Sequence, residues 1–203
     1  MSGTLLVATH NAHKTGEMRA ILADYFDQVT DLSSLPGMGA PEEDGATFAE
    51  NSTIKALAAS RAHPEALVLA DDSGLEVDAL GGAPGVHSAR YAGVGADDAQ
   101  NRAKLLAELA KPEQAGLPRT ARFRCVLTLA RGGVPVAQFD GSVEGRIAEQ
   151  EQGSGGFGYD CLFIPEGHEV SFGELSEAEK NAISHRARAL AHFREWLEQQ
   201  AKA

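Results

Sequence analysis

Several things are scarce in this sequence, and each scarcity excludes something. There are two cysteines in 203 residues, Cys125 and Cys161. They show no metal-type spacing, so each reads as a small buried hydrophobe in a reduced cytosol. No apolar run approaches the roughly 18 residues a membrane helix needs. The opening, MSGTLLVATHNAHK, has no basic leader region, and its apolar run is short, so it reads as a first strand and not a signal peptide. Positive charge is also scarce: 18 Lys and Arg stand against 29 Asp and Glu, a formal net charge of −11. A broad nucleic-acid surface needs a basic face, so no nucleic-acid partner and no membrane partner is expected. A triphosphate needs only a few local lysines, helix N-termini and a metal, so a nucleotide enzyme stays open. The HExxH pattern is absent, and His10 and His13 have no third ligand near them in sequence, which argues against zinc.

What is present is the composition of a globular chain, 43% hydrophobic. Residues 4–8 read as a buried strand, and residues 9–13 as a polar loop. Met18, Ile21, Leu22 and Tyr25 then recur at helical spacing. A second helix is expected to start near Thr47, which has capping-box spacing to Glu50. Residues 66–70 read as a second buried strand ending in Asp71-Asp72-Ser73-Gly74, with a further strand over 75–80. Residues 98–110 read as helix. Residues 119–130 and 134–147 read as strands joined at the Gly132-Gly133 turn, and 161–164 as a short strand. Ser176 and Glu179 form another capping box, and Leu190, Phe193, Trp196 and Leu197 stripe a last helix. The reading is a single domain over 1–203. Its fold class is α/β: a mixed elongated sheet flanked by helices, in two lobes with an active-site cleft between them.

Four segments carry candidate chemistry. Asp71 and Asp72 are adjacent carboxylates at a buried strand end, which is costly unless a cation compensates them. A solvated turn accounts for the same residues equally well. The loop of Thr9, His10, Asn11, Ala12, His13 and Lys14 lies between a strand and a helix N-terminus, where backbone N–H groups suit phosphate. It lacks the glycines of a Walker A loop, and an ordinary strand–helix turn has the same features. Residues 155–160 place three glycines around Phe157, so backbone can approach a flat ligand and the ring can stack on a base. A tight hairpin or bulge would also use such a segment. Lys180 to Arg186 gathers two cations and His185 near a helix start, where a solvated helix face is the plainer alternative.

Taken together and in order, VATHNAHK, ADDSGLEVDALGGAPGVHSARYAG, FGYDCLF and ELSEAEKNAISHRARAL resemble the Ham1-like family, the inosine triphosphate pyrophosphatases. The resemblance spans nearly the whole chain. It implies a homodimeric, cytoplasmic, Mg²⁺-dependent enzyme that hydrolyses purine nucleoside triphosphates such as inosine and xanthosine triphosphates to monophosphate and pyrophosphate. It implies that Thr9, Asn11, Lys14 and Lys55 hold the triphosphate and that Ser73 contacts substrate. Asp72 would bind Mg²⁺ and act as general base, with Glu42 or Glu43 as a further metal ligand. Phe157, Gly158, Tyr159, Asp160, Lys180, His185 and Arg186 would form the base and sugar pocket. There His185 and Arg186 would donate to the C6 oxygen that adenine lacks. Successive residues of an extended segment point oppositely, so Asp71 and Asp72 need not share a metal. The sequence departs from the family pattern at His10, where the family has Gly, and at Cys161, where it has Pro. A φ above zero would strain His10. Two other functions compete: a nucleotide-binding sensor without turnover, and a Maf-type pyrophosphatase acting on other nucleotides.

Overall fold

The computed structural model describes residues 3–35, 39, 41 and 43–202. Its elements run β1 (Thr4–Val7), α1 (Ala12–Leu22), β2 (Gln28–Asp31), α2 (Phe48–Ala62), β3 (Leu67–Val77), α3 (Asp98–Leu109), β4 (Thr120–Arg131), β5 (Val134–Ile147), β6 (Phe163–Pro165), α4 (Glu177–Ile183) and α5 (His185–Gln200). The strands form a mixed six-stranded sheet in the order β2-β1-β3-β4-β5-β6, with parallel pairs β1–β2 and β1–β3 and the antiparallel pair β5–β6. The mixed α/β class expected from sequence is the one observed.

The chain divides into two compact units. The first comprises Met1–Asp72, Cys125–Gly141 and Arg186–Ala203, and the second Ser73–Arg124 and Ser142–His185. In the first unit, alternation along the strands sorts side chains to opposite faces. Leu5, Val7 and Leu69 join Met18, Leu22, Leu190 and Phe193 in one core, under α1 and α5. Leu6, Ala8, Val68 and Ala70 join Ala56 and Ala59 of α2 in another. Ala56 and Ala59 are fully buried there. The second unit has its own core, in which Leu105 and Leu109 of α3 pack with Leu75, Val77, Phe123, Val143, Phe163 and Phe172.

Local signals hold where they are local. Thr47 and Glu50 form both bonds of the capping box that starts α2, and Ser176 and Glu179 do the same for α4. Gly132 and Gly133, at φ 58° and 77°, make the two-residue hairpin turn between β4 and β5. Three features differ from expectation. Residues 71–74 are not a turn: β3 continues through them to Val77, so the two expected strands are one. Strand β2 was not anticipated from its four residues, QVTD. The last helical segment breaks at Ser184, whose ψ of 160° separates α4 from α5.

Candidate active site

In the first unit the site grows from β3. Asp71 and Asp72 leave an extended backbone in opposite directions, and each meets a different lysine. Lys14 of α1 pairs with Asp71 Oδ1, while Lys55 of α2 donates to Asp72 Oδ1 at 2.7 Å. Asp71 is the more enclosed. Its Oδ2 accepts from Arg186 Nε at 2.8 Å and from the Cys125 thiol at 3.1 Å. Burial alone would raise its pKa, but the Arg186 guanidinium and the Lys14 ammonium overcome that and hold it well below the usual carboxylate range. Asp71 is therefore a fixed anion that aims cations. Asp72 goes the other way: burial raises its pKa, and Lys55 only partly offsets this. Its Oδ2 is buried and has no hydrogen-bond partner among the described residues. A buried carboxylate oxygen without a hydrogen bond suits a cation or a proton.

Lys55 also lies 3.6 Å from Glu43 Oε1. Glu43, Lys55 and Asp72 thus gather at one place. Glu42 lies outside the described residues. Among the described residues no three His, Cys, Asp or Glu side chains form a ready-made cage. Mg²⁺ ordinarily takes one or two carboxylates and completes its shell with water and substrate oxygens, so the donor set fits that ion.

The first loop is built around the start of α1. Asn11 is the N-cap, with its Oδ1 accepting from the N–H groups of His13 and Lys14 at 3.0 and 3.2 Å. Thr9 Oγ1 accepts from Asn11 N at 3.1 Å. These two side chains shape the loop and bring Lys14 to Asp71. His10, Ala12 and His13 are exposed. No described residue other than glycine has a positive φ, so the strain considered for His10 does not arise.

The second unit holds a different group. Asp160 and Lys180 are both buried and pair at 2.6 Å, and Asp160 Oδ2 also accepts from Phe157 N at 2.8 Å. The Lys180 ammonium sits 4.6 Å from the centre of the Phe157 ring, a cation–π contact that fixes the ring. Gly156, at φ 71°, lies so close to Asp160 that a Cβ there would come within 2.2 Å of Oδ2, so no larger residue fits. Tyr159 is buried and its hydroxyl donates to Ser88 O at 2.8 Å. His185 stacks on Phe123 with ring centres 4.8 Å apart. Cys161 is buried as expected, and burial lifts its thiol pKa to about 11.

Arg186, which the resemblance assigns to the base pocket, is held by carboxylates. It belongs to the first unit, is buried, and pairs with Asp71 and with Glu17 of α1. The physical reason is charge: a guanidinium this buried needs carboxylates, and Asp71 and Glu17 supply them. Glu17 and Cys125 were missed as site neighbours. Glu17 stands three residues after Lys14 on one helix face, which was the available signal. Cys125 offered none beyond its expected burial.

Comparison with known proteins places the chain in a family. The model of the Ham1 family matches residues 5–196. A dITP/XTP pyrophosphatase of Desulforamulus reducens is 48% identical over 196 residues, covering 95% of this chain and 94% of that one. Its counterpart in Bacillus subtilis is 45% identical, covering 95% and 96%. The solved Staphylococcus aureus Ham1 protein superposes with a TM-score of 0.84 at 37% identity, over 97% of this chain and 99% of that one. The chain belongs to the Ham1 family.

Proposed function

We propose that this chain is a nucleoside triphosphate pyrophosphatase that hydrolyses inosine and xanthosine triphosphates, ribo and deoxy, to monophosphate and pyrophosphate. The observation that carries the proposal is the asymmetric carboxylate pair. Asp71 is locked by cations, while adjacent Asp72 is held on one oxygen by Lys55 and, among the described residues, has no hydrogen bond on the other. Membership of a family that includes dITP/XTP pyrophosphatases supplies the substrate class.

In the reaction, a water oxygen bonds to the α-phosphorus as the bond to the bridging oxygen breaks and pyrophosphate leaves. Asp72, its basicity raised by burial, accepts the water proton. Lys14 and Lys55 each carry three donors. Each therefore keeps N–H groups for phosphate oxygens while bonded to its carboxylate. Because they are oriented before substrate arrives, they stabilise the developing charge without reorganising. Asp72 and Glu43 would hold Mg²⁺, which when bound lowers the pKa of water and neutralises phosphate charge. The N–H groups at the start of α1 add positive potential. Thr9 and Asn11 act mainly by shaping that loop, and Ser73, next to Asp72, remains a substrate contact in this reading.

Phe157, Gly158, Tyr159 and Asp160 are assigned to the purine end, with Lys180 and His185 as donor candidates for the C6 oxygen. Adenine presents an amino donor at C6, and facing a donor with a donor costs about 1–3 kcal/mol. That corresponds to a preference of roughly 5- to 150-fold. Arg186 is assigned to the first unit, where it keeps Asp71 ionised and Lys14 in place. The reading further includes a homodimer in the cytoplasm, which sedimentation and fractionation would check.

The decisive assay is a nucleotide panel with Mg²⁺, scored for the first phosphorus product. Inosine and xanthosine triphosphates should release pyrophosphate far faster than ATP does. Equal turnover of ATP, or orthophosphate as first product, would sink the reading. Binding without turnover would make the chain a sensor.

A further inference from the structure

The glycine-rich segment around Phe157 is held from outside by two residues of α3 to which sequence reading gave no role. Gly158 N donates to Asp98 Oδ2 at 2.7 Å, and Arg102 donates from Nη1 to Gly158 O at 3.0 Å. Both polar groups of Gly158 are thus bonded to side chains four apart on one helix face. Arg102 does more: its Nε donates to Glu151 Oε1 at 2.8 Å. One planar guanidinium therefore ties residue 151 to residue 158, the two ends of the segment that contains Gly153, Gly155 and Gly156. Such a segment has high conformational entropy when free. Gly158 itself is at φ 61°, and a Cβ there would meet nothing within 4 Å, so its glycine answers to backbone conformation and not to space. Arg102 is half-buried and Asp98 exposed, while α3 anchors itself through buried Leu105 and Leu109. The clamp is therefore separable from the core.

We infer that Arg102 and Asp98 are positioning residues for purine recognition: they hold the 151–158 segment in the conformation that presents Phe157 and Gly158 to the base. This rests on the proposed function, because it assigns that segment to the purine. Binding orders a loose loop at an entropic cost, and a clamp removes that cost beforehand. Losing it should weaken base binding and leave phosphate binding alone. Arginine is specified because its fork reaches two acceptors at once, which a lysine cannot do with the same geometry.

The test uses the full chain and its Arg102→Leu, Arg102→Lys and Asp98→Ala variants. For each, KM and kcat for inosine triphosphate are measured, with inhibition constants for inosine monophosphate and for inorganic pyrophosphate. Arg102→Leu should raise KM and the monophosphate constant together by about tenfold, the scale of lost charge-assisted hydrogen bonds. The pyrophosphate constant should hold, and kcat should stay within about twofold. Asp98→Ala should give a smaller shift in the same direction, and Arg102→Lys a partial rescue. Equal weakening of both inhibitors, or no change in either, would overturn the proposal while wild-type preference for inosine triphosphate left the functional reading standing. A wild-type chain without that preference would overturn both.

Discussion

The two units solve different physical problems with different chemistry. In the first, full charges are buried against each other: Asp71 with Lys14 and Arg186, Asp72 with Lys55, Arg186 with Glu17. In the second, the buried Lys180–Asp160 pair serves a backbone N–H and an aromatic ring, the Arg102–Glu151 pair lies nearer the surface, and around them stand glycines, rings and single hydrogen bonds. Buried ions give a rigid, high-field site but are destabilising if one partner is removed. Rings and glycine loops give shape and close approach at little electrostatic cost, but need clamping. The first kind of site suits an anion of fixed charge, and the second a flat heterocycle that must be told from near relatives.

Substitutions should split along that line. Asp72→Asn should have the largest effect: kcat should fall by about 10²- to 10⁴-fold, the range for loss of a general base. The Tm should fall less than for Arg186→Ala, because asparagine keeps an acceptor for Lys55 and Glu43 still lies 3.6 Å from that ammonium. Near-normal turnover at saturating Mg²⁺ would reduce Asp72 to a structural strand residue. Arg186→Ala should come next. Removing one member of a buried ion pair costs about 3–5 kcal/mol. Calorimetry should show a clear drop in Tm, and inosine and adenosine triphosphates should lose activity in parallel. A retained Tm with a collapsed preference would return Arg186 to the purine pocket.

Lys14→Ala should reduce kcat/KM for inosine triphosphate by about 10- to 100-fold, as expected for a charged hydrogen bond. Monophosphate inhibition should weaken less, which a competition assay would show. Equal losses would mean that Lys14 does not serve the outer phosphates. The smallest effect belongs to Phe157→Ala, about tenfold in KM from lost stacking. Because every purine has a π-face, KM for ATP should rise by a similar factor. A changed preference would make the ring a selector and not a platform.

How much of this was legible in the sequence depended on range. The Thr47–Glu50 and Ser176–Glu179 caps and the Gly132-Gly133 turn were, since their causes lie within four residues. The continuity of β3 was not. Asp-Asp-Ser-Gly has turn composition, and what lets it run as buried strand is Lys14, Lys55 and Arg186, which lie 57, 17 and 115 residues away. The same distance hid the partners of Arg186. That Glu42 or Glu43 would join Asp72 followed from family resemblance, not from spacing. The α3 clamp was invisible because Asp98 and Arg102 look like an ordinary solvated helix face, and their partners are a peptide group and Glu151.

The division of labour is tested most directly by crossing two ligands with two variants. Inhibition constants for inorganic pyrophosphate and for inosine are measured on wild type, Lys14→Ala and Phe157→Ala. The account predicts a crossed result: Lys14→Ala weakens pyrophosphate and spares inosine, while Phe157→Ala weakens inosine and spares pyrophosphate. If either variant weakened both ligands by the same factor, the assignment of phosphate to the first unit and purine to the second would be contradicted.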